Sequence, residues 1–428
     1  MRNTRLLAAI ALAAFAAVSQ AQQKEIKIGF IYDVTGPFAG GGSEPAQLGT
    51  KAAVDYFNEK GGVEGYRINA LFVDAQSKVD VAINEMTRLI DQEKVDLIMG
   101  VYSSAQCVPM VQQIDARKKF LWINVCIATA VFKDRKLSYV FRPQSHSDQF
   151  GAASCDYINY YAKDRFGIAP KNMRIAIIYE DGPYGAGVAA GNEAQCRKHG
   201  MNIVLKEGYS ATAPDLSSLV TKLKRARPDV LLHTGYNPDI TLFLRQAKEQ
   251  GLKFKAMVGH GAGHSQIDKL RQTFGDDVNY FHSIDPAAAQ LLDPKTLKKG
   301  IPELTKEMVR RYEQVKGPGE LPPHVSMGFN NTWIFLSDVL PRAIRKYGGF
   351  DAEALRKSAL ETDIPVGGTL QGYGVKFFPP GHQLAGQNER AFPVVMQYVN
   401  GRARIAWPRE IQTTDPVLPF PKGHAFAP

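Results

Sequence analysis

From residue 25 onward the chain alternates short apolar runs with helix-length amphipathic segments, and after a break near residue 143 the alternation starts again. Strands expected at 25–32, 68–73, 95–101 and 120–125 are separated by helices expected at 46–60, 79–92 and 105–117. In the first of these helices Leu48, Ala52, Ala53, Tyr56 and Phe57 recur at helical spacing. Strands joined through helices of this length form a parallel sheet with right-handed crossovers. A second set follows, with strands at 174–179, 202–208, 229–234 and 255–259 and helices at 184–199, 215–225 and 238–250. The run Ile175-Ala176-Ile177-Ile178-Tyr179 suits a strand covered on both faces. Beyond residue 285 the pattern turns mainly helical, and after Gly367 it is Gly/Pro-rich and strand-like. Two α/β lobes in series are the expected architecture.

Arg2 and Arg5, an apolar stretch from Leu6 to Val18, and Ser19-Gln20-Ala21 have the pattern of a secretory signal cut after Ala21. The apolar stretch is too short to span a bilayer, and no later segment approaches that length, so a soluble, exported mature chain is expected. No cysteine lies at the cut site, so a lipid anchor is not expected. The formal charge is +10, but its Lys and Arg residues are scattered. The densest run, Lys222-Leu223-Lys224-Arg225-Ala226-Arg227, lacks interleaved aromatic residues. It reads as a solvated helix face and not as a nucleic-acid surface. Cys107, Cys126, Cys155 and Cys196 form no close pairs, which argues against zinc. Export permits disulfides within each lobe, Cys107 with Cys126 and Cys155 with Cys196; buried free thiols are the other reading.

A set of short motifs stands in one order: Lys27-Ile28-Gly29 with Thr35-Gly36-Pro37, then Asn58-Glu59-Lys60-Gly61-Gly62-Val63-Glu64-Gly65, and Asp74 ending the second strand. Gly100-Val101-Tyr102-Ser103-Ser104, Phe141-Arg142-Pro143, Asp181-Gly182-Pro183-Tyr184-Gly185 and Gly251-Leu252-Lys253 follow. Together they resemble the periplasmic leucine/isoleucine/valine-type solute-binding proteins of ABC importers. The resemblance covers nearly the whole mature chain and thins after about Asp285. It implies the type I periplasmic-binding-protein fold, two Rossmann-like lobes with parallel sheets joined by a three-crossing hinge. It further implies a signal peptide at 1–21, lobe 1 at 22–143 and 284–366, and lobe 2 at 144–283 and 367–428. The implied partners are a small carboxylate-bearing solute and an ABC permease in the inner membrane. A monomer in the periplasm is expected, with no cofactor, no metal and no nucleic acid.

Ser103 and Ser104 end a strand and open a helix, where unpaired backbone N–H groups and the helix dipole favour an anion. One of the two reads equally as an ordinary N-cap. The resemblance assigns Ser104 to the solute's carboxylate. It assigns Ala128 and Thr129 to a second contact loop, offering a backbone carbonyl and a hydroxyl. Tyr184 and Tyr236 match tyrosines that cover the solute, each giving apolar area and one hydroxyl. Core tyrosines and an ordinary loop threonine are the alternatives.

Two departures bear on the solute. Amino-acid members place an acid after the strand matching Val258-Gly259, but this chain reads His260-Gly261-Ala262-Gly263-His264. Either another acid replaces it, or the solute has no ammonium and His260 donates to a phenol or second carboxylate. Gly40-Gly41-Gly42 stands where leucine binders carry an aromatic wall, which implies a larger pocket. The i, i+4 histidines lie among glycines, so a zinc site is not expected. The glycine stretches lack a dinucleotide fingerprint and no Gly-x-Ser-x-Gly elbow occurs, so the chain is not expected to be an enzyme. A ligand sensor feeding a regulator, or an exported enzyme on this fold, are the remaining alternatives.

Overall fold

The computed structural model describes residues 24–428, and the expected signal segment lies outside them. In the first sheet, β1 (Glu25–Tyr32) is buried from Ile28 to its end on both faces, with Ile26, Ile28, Phe30 and Ile31 all buried. That makes it an interior strand. It pairs in parallel with β2 (Arg67–Asp74) and β3 (Leu97–Gly100), Ile28 lying opposite both Ala70 and Leu97. β4 (Phe120–Ile123) and β5 (Val140–Phe141) complete the order β2-β1-β3-β4-β5, all parallel. The connecting helices are α1 (Glu44–Glu59), α2 (Val79–Asp91) and α3 (Ser104–Ala116).

After β5 the chain crosses to the second lobe through α4 (Ser147–Tyr161). Strands β6 (Arg174–Glu180), β7 (Asn202–Tyr209), β8 (Val230–Thr234), β9 (Ala256–His260) and β10 (His282–Asp285) then form a parallel array. They alternate with α5 (Pro183–Lys198), α6 (Ser217–Ala226), α7 (Asn237–Glu249) and α8 (Ile267–Phe274). The short β10 carries one aliphatic residue among four, which is why no apolar run marks it in the sequence. Cys155 on α4 and Cys196 on α5 are joined by a disulfide, whereas Cys107 and Cys126 are free and buried.

Past Asp285 the chain returns to the first lobe with α9 (Ile301–Lys316), α10 (Pro323–Ile334), α11 (Leu340–Tyr347) and α12 (Ala352–Leu360). α10 crosses α1 with backbones nearly touching. A Cβ on Gly49 would lie 2.1 Å from the Val325 carbonyl oxygen, and one on Gly328 would lie 1.9 Å from that of Ala46. Only glycine at both positions permits this approach. It sets the start of α10, and with it His324, beside the inter-lobe cleft.

The third crossing comes later than expected. Residues 363–391 stay with the first sheet: Ile364 bridges Val375, Arg142 pairs with Gln387, and Phe377 packs 5.2 Å from Phe141 and 5.6 Å from Trp122. The chain re-enters the larger sheet at β11 (Val394–Val399), antiparallel to β10, and ends it with β12 (Arg402–Trp407). The expected boundary after residue 366 therefore falls too early. The Gly/Pro-rich stretch has no periodicity to assign it, and its aromatic residues find their partners on the first sheet. The larger sheet runs β12-β11-β10-β9-β8-β6-β7, parallel except for the β11–β12 hairpin.

Candidate functional site

The two sheets face each other across a closed cleft. Tyr236, at the start of α7, stacks its ring 4.3 Å from Phe38 of the first lobe and lies 6.4 Å from Tyr102 and 5.4 Å from Tyr184. The Lys269 ammonium of α8 donates to the Gly40 carbonyl of the first lobe. Behind these contacts lies a small cavity with about 330 Å³ free of atoms, open solvent at its mouth included. Tyr102, Ser104, Tyr184, Tyr236, Asp285 and His324 supply its polar groups, and Val125, Ile127, Phe150 and Met327 its apolar wall. A larger hollow between the lobes lies beyond Gln266 and His324. Its rim carries Lys269 and the exposed Lys316–Glu44 ion pair, and no buried polar atom in its wall lacks a partner. The smaller cavity is the better candidate.

Val101 sets the first-lobe side. It is β-branched yet has a φ of 59°, a conformation such residues rarely adopt and one that clusters at ligand sites. The turn puts Tyr102 into the cleft, where its hydroxyl donates to the Gly41 carbonyl at 3.2 Å. Next come Ser103 and the start of α3. Neither serine caps the helix with its side chain. The Ser103 hydroxyl is buried beside the Tyr236 hydroxyl but makes no hydrogen bond of good geometry. The Ser104 hydroxyl accepts from the Ala128 amide at 3.2 Å and has the Cys126 thiol at 3.7 Å. No histidine bonds to it, so it is not set up as a nucleophile of the usual serine–base type.

The second contact loop is turned inward. The Ala128 carbonyl accepts from Arg142 at 2.9 Å, and that buried guanidinium also holds the Cys126 carbonyl and Gln387. Thr129 donates to Asp148 at 2.7 Å and sits within bonding distance of Ser147 and His146. Val125 and Ile127, not Ala128 and Thr129, line the cavity. On the other lobe Tyr184 presents its ring, while its hydroxyl donates to the His260 carbonyl at 2.6 Å. Burial holds both Tyr184 and Tyr236 neutral, with pKa values well above the usual tyrosine value.

Two expectations are corrected here. The His260 imidazole does not face the cavity; it lies inside the second lobe, bonded to Thr234 and the His233 carbonyl on one side and near Ser154 and Asn192 on the other. Burial lowers its pKa to about 4. Nor does the glycine loop enlarge the pocket. Gly42 has a φ of 152°, and a Cβ there would stand 2.8 Å from Tyr102 and 2.9 Å from His324. The missing side chain makes room for those two rings, which are 5.8 Å apart and form an aromatic wall of their own.

The sequence left Asp285 and His324 unmarked. Asp285 ends β10 with 1% of its surface exposed, and its Oδ2 has no partner in the protein. Burial pushes its pKa up to about 7, eased by the Ser265 hydroxyl. His324 is buried and pushed down to about 4, so it is neutral, with Nδ1 3.4 Å from the Gln266 amide nitrogen. Among the described residues no group of three or more His, Cys, Asp or Glu side chains is arranged to hold a metal.

Two lobes built on parallel sheets, three crossings and a cleft with a helix start in its floor define a two-lobed ligand-binding protein. The chain belongs to the periplasmic binding protein family, whose model matches residues 25–395. It is 32% identical over 413 residues to Leu/Ile/Val-binding protein homolog 7 of Brucella abortus, spanning 96% of this chain and 99% of that one. Among solved structures it is similar to the leucine binding protein LivK of Thermotoga maritima, with a TM-score of 0.72 and 21% identity over 89% of this chain and 97% of that one. It is also similar to an R. palustris ABC-transporter solute binding protein in complex with benzoate, with a TM-score of 0.71 and 15% identity over 89% and 95%.

Proposed function

We propose that this chain is a periplasmic receptor that captures a small carboxylate-bearing solute, an amino acid or an aromatic or aliphatic acid, and delivers it to an ABC permease in the inner membrane. The observation that carries the reading is the cavity itself: small, bordered by aromatic rings from both lobes, and floored by the start of α3 at Ser104. The first amides of a helix have no partners along the chain, and they carry the positive end of its dipole. A carboxylate seated there meets those amides and the Ser104 hydroxyl, with Ser103 beside it. Closure over the solute then works as a population shift, the bound solute favouring the form in which Tyr236 reaches Phe38. Names of relatives agree with this range, since one is called a Leu/Ile/Val-binding homolog and a fold neighbour holds benzoate.

The test is a thermal-shift screen of residues 22–428 against amino acids, aromatic carboxylates, aliphatic acids and their neutral amides. A ligand bound only by the folded state raises the melting temperature. Shifts confined to carboxylate-bearing compounds, and diminished in Ser104→Ala, are expected. Equal shifts with acids and neutral amides would overturn the assignment of α3 to a carboxylate.

A further inference from the structure

Beneath the floor of the cavity, two thiols and a guanidinium that solute binding does not use are packed together. Cys107, in the first turns of α3, and Cys126, after β4, are both free and buried, and the thiol of one stands beside that of the other. We infer that they form a reactive dithiol in which Cys126 is a thiolate paired with Arg142, and that a small hydroperoxide closes them into a second disulfide.

Arg142 carries the assignment. Its guanidinium is fully buried, yet its bonds go to the neutral oxygens of Gln387, Cys126 and Ala128, and Nη2 has no partner. A buried cation without an anion is strongly unfavourable, and a thiolate at Cys126, whose carbonyl Arg142 already holds, supplies one. Burial raises the Cys126 thiol, but the Cys107 thiol, the Arg142 guanidinium, the Ser104 hydroxyl and the Ala128 amide outweigh it and hold that thiol below the usual cysteine value. Cys107 is pushed well above that value by burial and by Cys126, so the pair keeps one proton, on Cys107. The way in is the cavity. The Cys126 sulfur lies 3.7 Å from the Ser104 hydroxyl, and Ser104, Val125 and Ile127 all line the cavity, so a molecule the size of hydrogen peroxide approaches the thiolate through that wall. The Cys126 sulfur attacks the O–O bond: an S–O bond forms, the O–O bond breaks, and the departing hydroxide takes a proton to become water. The Cys107 sulfur then displaces the hydroxyl of the resulting sulfenic acid, forming the S–S bond and a second water. In sum, two thiols and one hydrogen peroxide give one disulfide and two waters. The bond ties α3, one turn beyond Ser104, to the loop that supplies Val125 and Ile127.

The experiment exposes the exported protein, residues 22–428, to hydrogen peroxide, caps remaining thiols with N-ethylmaleimide in urea, and maps the peptides without reduction. Expected are Cys107 and Cys126 both capped before exposure and joined to each other after it. The rate is expected to be first order in peroxide and to change less than about threefold between pH 6 and 8, where an ordinary thiol's rate rises roughly 80-fold. The charged groups facing the pair are Arg142, Arg135 and Asp148, and His146 beyond Arg142 is pushed down to about 4 by burial, so the profile reads the thiols. Cys107→Ser is expected to stop at a sulfenic acid on Cys126, captured by dimedone. Cysteines still capped after exposure, or oxidised singly without a joined peptide, would overturn the dithiol, and so would a pair already joined before peroxide is added. A rate that climbs with pH like that of an ordinary thiol, or that ignores the peroxide concentration, would overturn the thiolate. These readouts come from the unsubstituted protein, so they decide the matter even if Cys107→Ser fails to fold.

Discussion

Replacing Phe38 by alanine tests closure directly, because its ring stacks on Tyr236 of the opposite lobe at 4.3 Å with an interplanar angle of 36°. An aromatic side chain of this kind buries about 150–250 Å² in full, and with Phe38 partly buried we take roughly half of that as the area lost from the closed form on truncation. At about 25 cal/mol per Å², the truncation costs the closed form about 2 kcal/mol. Loss of the ring–ring geometry adds about 0.5–1 kcal/mol. A total of about 2–3 kcal/mol corresponds to a rise in Kd of about 30- to 150-fold. The contact forms after the solute has landed, so the change is expected in the off-rate. Titration with whichever solute raises the melting temperature, followed by stopped-flow release, reads both quantities. The ligand-free melting temperature is expected to stay within about 2 °C of the parent. A Kd within twofold of the parent, with a melting temperature that drops as for a core phenylalanine, would refute the argument. Phe38 would then be a fixed part of the fold and not a latch.

Three further outcomes are expected. Ser104→Ala removes a hydroxyl from the carboxylate site and also the acceptor of the Ala128 amide, so binding weakens by about 1–2 kcal/mol in calorimetry; unchanged affinity would remove Ser104 from the site. Reduction of Cys155–Cys196, or their paired replacement by alanine, opens a loop closed over 41 residues. The chain-entropy argument puts the loss at about 4 kcal/mol in urea unfolding, and no change in midpoint would mean that the bond is absent in solution. For pH, burial holds His146, His260, His282 and His324 near 4 and His264 near 3, so the unfolded chain binds their protons first and stability falls below about pH 6.5. Asp33, pushed to about 6, and Asp239 and Asp285, pushed to about 7, take up protons in the folded state and work the other way. Burial holds His233 well below the usual histidine value as well, so the histidines outweigh these carboxylates and stability falls between about pH 6 and 5; urea midpoints that are flat or rise toward acid would contradict it.

The fold was legible where side-chain periodicity carries it. Ile26, Ile28 and Phe30, or Ile175 to Ile178, announce buried strands, and Leu48 to Phe57 announce a helix face. The cysteines offered two pairings, and the structure makes one of them. Of the candidate site, the sequence marked the places where a strand end meets a helix start, and there Ser104, Tyr184 and Tyr236 line the cavity. It was illegible where direction depends on partners far away in sequence. Thr129 and His260 sit at the expected places in the chain, but Asp148 draws the hydroxyl inward and Thr234 does the same to the imidazole. Asp285 ends a four-residue strand with no periodicity to flag it, and His324 reaches the cleft only because two glycines let α10 lie against α1. The triple glycine gave the wrong sign: its small size serves Tyr102 and His324, which no local pattern connects to it.

The late return of the chain to its larger sheet has a consequence in time. β10 acquires its second neighbour only when Val394 to Val399 arrive, with Gln397 opposite His282. The last residues then cover that lobe's far end, Phe420 and Phe426 packing on Phe254 and Phe281. A chain emerging from its N-terminus, whether from a ribosome or through a translocation pore, therefore completes this lobe last. Until then it keeps an open sheet edge and must be protected from mispairing.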